Sequence, residues 1–307
     1  MTTRRDFLGT LGAFGGAVLS GDPLTALTRA RPGATIQWGY AAITWGVRDT
    51  EAIDDISALG FAGIQLRANV LQQFGDRPAA LKELLLSRKL SLVALSSGGV
   101  SLDPARETQM IDGHVTRARF LRDVGGSYLQ VTDEKPAGRA VTADDITRLG
   151  KLLTEIGRRT ADLGVPLGYH NHMGTIGESP ADVDRVLDAC DPKLVRFELD
   201  IAHYHQGGGK PADAIRRHRD RLLFLHMKDV EATAPANGGS GYRFVELGRG
   251  AVDLKATMAA LDAVDYLGWA VIELDSVPAV TPPRTPKGCA EISMRYLETA
   301  FGIRIRS

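Results

Sequence analysis

Cysteine is almost missing from this chain: Cys190 and Cys289 are the only two in 307 residues. That excludes a disulfide-stapled scaffold and a thiolate zinc module. The two could pair in an oxidising compartment. However, Cys190 closes one expected helix and Cys289 opens another, so two free, partly buried thiols are the expectation. An excess of charge of either sign is also lacking, with 37 Lys and Arg against 37 Asp and Glu. A neutral balance offers no basic face to nucleic acid or to an anionic membrane. Long hydrophobic runs are absent too. The best candidate, GTLGAFGGAVLSG from Gly9, is too short and too glycine-rich for a stable spanning helix.

The residues before that run read as an address. Thr3-Arg4-Arg5-Asp6-Phe7-Leu8 is a twin-arginine pattern, so residues 1–32 are expected to be a signal and linker, cleaved between Asp22 and Pro32. The mature protein is then expected in the periplasm or otherwise exported, and off the membrane. This route carries folded proteins, often with a cofactor already bound. Export also makes phosphorylated metabolites poorer candidates as substrates.

From residue 33 to 307 a single domain is expected. Hydrophobic residues at 44% suffice for a sizeable core. Apolar runs at Ile36–Ile43, Ala62–Leu66, Leu90–Leu95, Ser127–Val131, Val165–Tyr169, Leu194–Leu199, Leu222–Met227 and Trp269–Leu274 alternate with helical patterns. The helices carry their own start signals. Asp103-Pro104, Thr142, Ser179-Pro180 and Asp253 are caps, and Gly60 and Gly164 are stops. Eight strand–helix units in about 270 residues define the α/β class and predict a (β/α)8 TIM barrel. The segment Glu231–Gly250, rich in Gly, Ala and Asn, reads as a long loop, and SVPAVTPPRTP as a second.

Four consecutive strands end in ligand-type side chains. They are His170 and His172 in YHNHMGT, Asp200 and His203 in ELDIAH, His226 and Asp229 in LHMKD, and Glu273 and Asp275 in IELD. A parallel barrel gathers those ends at one mouth, where imidazoles and carboxylates together read as a divalent-metal site. Lys228 is expected to hold a substrate oxygen there. Arg67 and Glu178 are candidates for polar substrate contacts, and Trp45 for stacking on a sugar face. His114 and His218, on expected helices, and His205, just past the site strand, are left out.

HNHMGT, DIAH, GGGKP, HMKD, FVELGRGAVDL and YLGWAVIELD, with the early WGYAAITWG, together resemble the sugar phosphate isomerase/epimerase superfamily of xylose isomerase-like barrels. Within it the chain is most similar to inosose dehydratases and related keto-sugar enzymes. The resemblance covers nearly everything after the expected signal. It implies one divalent ion held by Asp200, His226 and Glu273. Manganese is the expected ion, and magnesium, cobalt and zinc are the others considered. The family's fourth ligand is a glutamate where this chain has His170. Either His170 ligates in its place, or it acts as a base and the ion keeps three protein ligands. Losing that carboxylate removes one of the paired acid–base groups of epimerases, so the resemblance favours dehydration by β-elimination over isomerisation or epimerisation. His172 or His170 is then the base, with His203 as its partner or as the acid. A small sugar or cyclitol is the expected partner, nucleic acid and membrane are not, and a homo-oligomer stays open.

Two other readings compete. An endonuclease IV-like hydrolase needs further histidines after strands two and three and an Asp-x-His after strand seven. This chain has QLRAN, SSGG and Asp229-Val230-Glu231 there. An exported metal- and sugar-binding protein without turnover is the reading from outside the enzymes.

Overall fold

The computed structural model describes residues 36–233 and 241–305. The expected signal at 1–32 lies outside them, as does part of the expected loop at 231–250. The first half runs β1 (Gln37–Ala41), α1 (Asp49–Ala58), β2 (Gly63–Arg67), α2 (Leu71–Phe74), α3 (Pro78–Ser87), β3 (Ser91–Val100), α4 (Glu107–Val124), β4 (Tyr128–Asp133) and α5 (Ala143–Ala161). The second half runs β5 (Leu167–His170), α6 (Pro180–Asp188), β6 (Val195–Asp200), α7 (Ile201–Gln206), α8 (Pro211–Arg217), β7 (Leu222–Met227), β8 (Asp229–Ala232), β9 (Tyr242–Val245), α9 (Leu254–Ala263), β10 (Trp269–Ile272) and α10 (Pro286–Phe301).

Eight of the strands close into a parallel barrel in the order β1-β10-β7-β6-β5-β4-β3-β2, the (β/α)8 architecture read from the sequence. The helix starts follow their caps. Thr142 and Asp145 form a reciprocal capping box at α5, and the side chains of Ser179, Asp253 and Thr285 accept amides at α6, α9 and α10. The strands are buried on both faces, which is why they read as continuous apolar runs. Tyr128 and Phe224 stack inside the barrel at 5.5 Å. Gly63 is required at its position, because a Cβ there would lie 2.5 Å from Val93 and 2.6 Å from the Trp269 ring.

The long loop expected at 231–250 is corrected. Strands β8 and β9 pair antiparallel, with Val230 opposite Phe244, so the segment holds a hairpin above the barrel. Its base is clasped by Asp229, whose carboxylate accepts the amides of Val230, Gly248, Gly250 and Val252 at 2.9 to 3.1 Å. Asp229 therefore organises backbone and does not join the cluster in the mouth. Both cysteines are buried free thiols.

Candidate metal centre at the barrel mouth

The C-terminal ends of β5, β6, β7 and β10 bring His170, Asp200, His226, Lys228 and Glu273 together, and α7 adds His203. The register sets His170 beside Glu198 and Asp200 beside His226. His226 Nδ1 lies 3.2 Å from Glu273 Oε2 and 3.6 Å from Asp200 Oδ2. One ligating atom each from His170, Asp200 and His226 falls within 4.8 Å of the others, as does one each from His170, His172 and His203.

Burial and charge set the character of the place. Glu198, Asp200 and His226 are inaccessible, and Glu273 is 8% exposed. With Asp275 that makes four carboxylates in the cluster against one ammonium, that of Lys228, which donates to Glu273 at 2.8 Å and to Asp275 at 2.6 Å. Burial works against the Lys228 cation, but Glu273, Asp200 and Asp275 outweigh it and hold its pKa above the usual lysine range. Burial likewise opposes the Asp200 and Glu273 carboxylates. His203 and Lys228 at Asp200, and His226 and Lys228 at Glu273, still hold both well below the ordinary range. Burial pushes His170 well down, helped by His226, and takes His203 to about 3 against the pull of Asp200. His226 runs the other way, raised by Glu198 and Glu273 in spite of its burial.

A divalent cation fits this donor set. His226 Nδ1 and Asp200 Oδ2 are buried and have no hydrogen-bond partner among the described residues, although each is an atom that water or a partner normally satisfies. Buried carboxylates in excess over cations also need compensation. Imidazole nitrogen and carboxylate oxygen suit zinc and manganese alike.

The His172 and His203 rings lie against each other, centroids 3.8 Å apart and planes inclined at 39°. The backbone amide of Met173 donates to His203 Nδ1 at 3.3 Å, so that nitrogen carries the lone pair. His172 Nδ1 lies 2.6 Å from the Met173 carbonyl. A carbonyl only accepts, so Nδ1 holds the proton and Nε2 is left with the lone pair of a base. The loop bearing His172 is tied down from below. The Tyr169 hydroxyl donates to Asp133 at 2.6 Å, and the Ile176 amide donates to the other Asp133 oxygen at 2.5 Å.

The remaining expected contact residues have protein partners of their own. Trp45 is not a stacking platform: it is 2% exposed, its indole N–H donates to Asp55 at 2.9 Å, and it packs edge-on against Tyr40. Arg67 donates to the Gly46 carbonyl at 2.8 Å. Glu178 accepts from Lys135 and from the Gly174 amide, each at 3.2 Å. Lys228 gives two donors to Glu273 and Asp275, has His203 Nε2 at 3.4 Å, and is covered by Phe244 from β9, its Nζ 4.1 Å from the ring centroid, so in this structure it serves as an internal counter-ion. His114 bonds Ser97 at 2.7 Å and His218 pairs with Asp184 at 3.0 Å.

Sequence reasoning missed Glu198, Gln65 and Gln130. Burial pushes the Glu198 carboxyl up to about 7, against the pull of His226. The signal was present in FELD, where Glu198 shares the strand face of Asp200, two residues on.

A closed parallel (β/α)8 barrel with imidazoles and carboxylates converging at its C-terminal mouth is the class of protein that the fold and the cluster define. The chain belongs to the xylose isomerase-like TIM barrel family, whose pattern matches residues 53–299. A Lacticaseibacillus casei protein named inosose dehydratase is 26% identical over 282 residues, covering 81% of this chain and 93% of that one. A Rhizobium meliloti rhizopine catabolism protein, MocC, is 27% identical over 280 residues, covering 84% of each. Among solved structures, the IOLI protein with a bound zinc atom superposes with a TM-score of 0.70 at 16% identity, over 86% of this chain and 97% of the other. That likeness is one of fold.

Proposed function

We propose that this protein is a divalent-metal-dependent enzyme acting on a keto-sugar or cyclitol, and that it removes water by β-elimination. One observation carries the reading: His226 Nδ1 and Asp200 Oδ2 stand 3.6 Å apart, both buried and neither in a hydrogen bond among the described residues, with Glu273 3.2 Å from the same nitrogen. Asp200, His226 and Glu273 would hold the ion, with His170 as the fourth donor. The relatives named inosose dehydratase support the substrate class. Manganese is the ion proposed.

When bound, the cation polarises a substrate carbonyl and stabilises the negative charge that grows on its oxygen. The chain's own residues do the rest. His172, partly exposed with Nε2 bare, takes the proton from the carbon beside that carbonyl. The imidazolium so formed can return the proton to the departing hydroxyl, so one water leaves and the base is regenerated. The His203 ring packed against His172 holds it in place. Phe244 and the hairpin beneath it keep water from the Lys228 face of the cluster.

The test is incubation of metal-loaded protein with an inosose or a 3-keto-glycoside in heavy water. An ultraviolet-absorbing enone is the expected product; elimination makes no new C–H bond, so any deuterium is expected only in recovered substrate that was reversibly deprotonated. Deuterium without an enone identifies an isomerase or epimerase on the same site. No exchange and no product, with the ion bound, leaves a binding protein and removes the enzyme reading. Export is proposed from the Arg4-Arg5 pattern alone.

A further inference from the structure

The proposed reaction has no use for the far nitrogen of His226, yet two buried side chains converge on it and a third links them. His226 Nε2 donates to Gln65 Oε1 at 2.7 Å and to Glu198 Oε1 at 2.8 Å. Gln65 Nε2 donates to Gln130 Oε1 at 3.0 Å, and Gln130 Nε2 donates to Glu198 Oε1 at 3.1 Å. The four side chains close a ring in which none is more than 3% exposed.

Glu198 dictates the direction of every bond in that ring. Both bonds land on Oε1 of Glu198, which accepts whether or not a proton sits on Oε2, unbonded among the described residues. Gln130 must therefore turn its amide N–H toward Glu198 and its carbonyl toward Gln65. Gln65 then gives its N–H to Gln130 and has its carbonyl left for His226. With acceptors on both sides, Nε2 of His226 carries the hydrogen. The lone pair of the neutral ring therefore lies on Nδ1, the atom beside Asp200 and Glu273. The backbone gives an independent sign. The parallel registers slip between Ile64 and Gln65 where β2 meets β3, and between Phe197 and Glu198 where β6 meets β7. Irregularities of this kind re-aim side chains, and these two fall on the residues that grip His226. Glu198 Oε1 also stands 3.5 Å from His170 Nδ1, so a single oxygen backs two imidazoles.

We infer that Glu198 is a positioning residue of the cation site. Through Gln130 and Gln65 it fixes the tautomer and orientation of His226, and its charge strengthens Nδ1 as a ligand. The inference rests on the cation site proposed above. Glu198 itself does not touch substrate.

Zn2+, Mn2+ and Co2+ titrated into metal-free protein against a competing chelator test it. Wild type is expected to take up one ion per chain. Glu198→Gln keeps the shape and removes the charge. It should melt close to wild type without metal, yet bind each ion about 10- to 100-fold more weakly. The Co2+ absorption spectrum should change, and the His226 Nε2–H signal of Zn2+-loaded, 15N-histidine-labelled protein should weaken or average. At saturating metal the variant should regain turnover with the substrate KM of wild type. Unchanged affinity and an unchanged Nε2–H signal in folded Glu198→Gln would overturn the inference and leave the cation site standing. A wild type that binds none of the three ions overturns both. Should Glu198→Gln not fold, Gln130→Met, which removes only the amide partner of the carboxylate, carries the same measurement. A several-fold loss is expected there, and unchanged affinity again overturns the inference.

Discussion

The Lys228 ammonium donates to the Glu273 carboxylate at 2.8 Å, with Lys228 1% and Glu273 9% exposed at the side chain. Asp200 stands 3.7 Å from the same ammonium and Asp275 2.6 Å. Removing the cation strands several buried carboxylates, a loss of about 3 kcal/mol by analogy with other broken buried pairs. Metal-free Lys228→Met should therefore melt well below wild type. Saturating Mn2+ should restore more stability to the variant than to wild type, because the added ion meets uncompensated negative charge. Thermal melts with and without a chelator check this, and equal metal-induced gains in both proteins would contradict it.

Ligation and proton transfer belong to different residues, and substitution should separate them. Glu273→Gln and Asp200→Asn each weaken a proposed ligand, so metal content and turnover should fall together. His172→Ala should keep one ion per chain and lose turnover about 100-fold or more, the usual scale for removing a general base. Metal analysis of purified variants beside their rates distinguishes the two outcomes. An active His172→Ala would return the role of base to His170.

The barrel and its mouth were legible because parallel strands buried on both faces show as apolar runs, and polar residues at their ends interrupt those runs conspicuously. Glu198, Gln65 and Gln130 were not, because each sits inside an apolar run, where one polar letter is outweighed by its neighbours. Their meaning depends on which strands face each other, and that is settled only on closure. The β8–β9 hairpin was masked by composition, since the Gly, Ala and Asn between the strands outweighed the aromatic and β-branched residues of Tyr242–Val245. Trp45 illustrates the opposite error. An aromatic at a strand end has two uses, and only the position of Asp55 shows that packing claims it.

His114 sets an acid limit on stability that is independent of the cation site. It is 1% exposed, and burial lowers its pKa from 6.5 to about 4. Between those values the unfolded chain binds a proton that the folded chain refuses, so stability falls as pH drops. The contribution is complete above about pH 6.5 and is lost as pH approaches 4, by up to about 3 kcal/mol at 1.36 kcal/mol per unit. Melting temperatures from pH 7 to pH 4.5 should decline. His114→Gln, which keeps an acceptor for Ser97, should flatten that decline, and an unaltered slope would assign it to other groups.

The hairpin hangs on Asp229 and Gly250 acting as one clasp. Asp229 accepts four backbone amides, and a Cβ on Gly250 would lie 2.3 Å from Asp229 Oδ1. Asp229→Ala leaves those four amides without their acceptor, a loss of about 4 kcal/mol or more at roughly 1–3 kcal/mol for each unpaired donor. Gly250→Ala sets its methyl group against that carboxylate and, at 2.5 Å, against the Val230 carbonyl, so it should open the same clasp by displacing the carboxylate and shifting backbone. The double variant should then fall short of the sum of the two single losses, since the second change disturbs a clasp already opened. Denaturant midpoints of the three variants measure the coupling. Phe244 rides on this hairpin over Lys228 and His203, so each single variant should also raise the substrate KM while the metal content stays at one ion per chain. Strict additivity in stability would mean that Asp229 and Gly250 hold the loop independently.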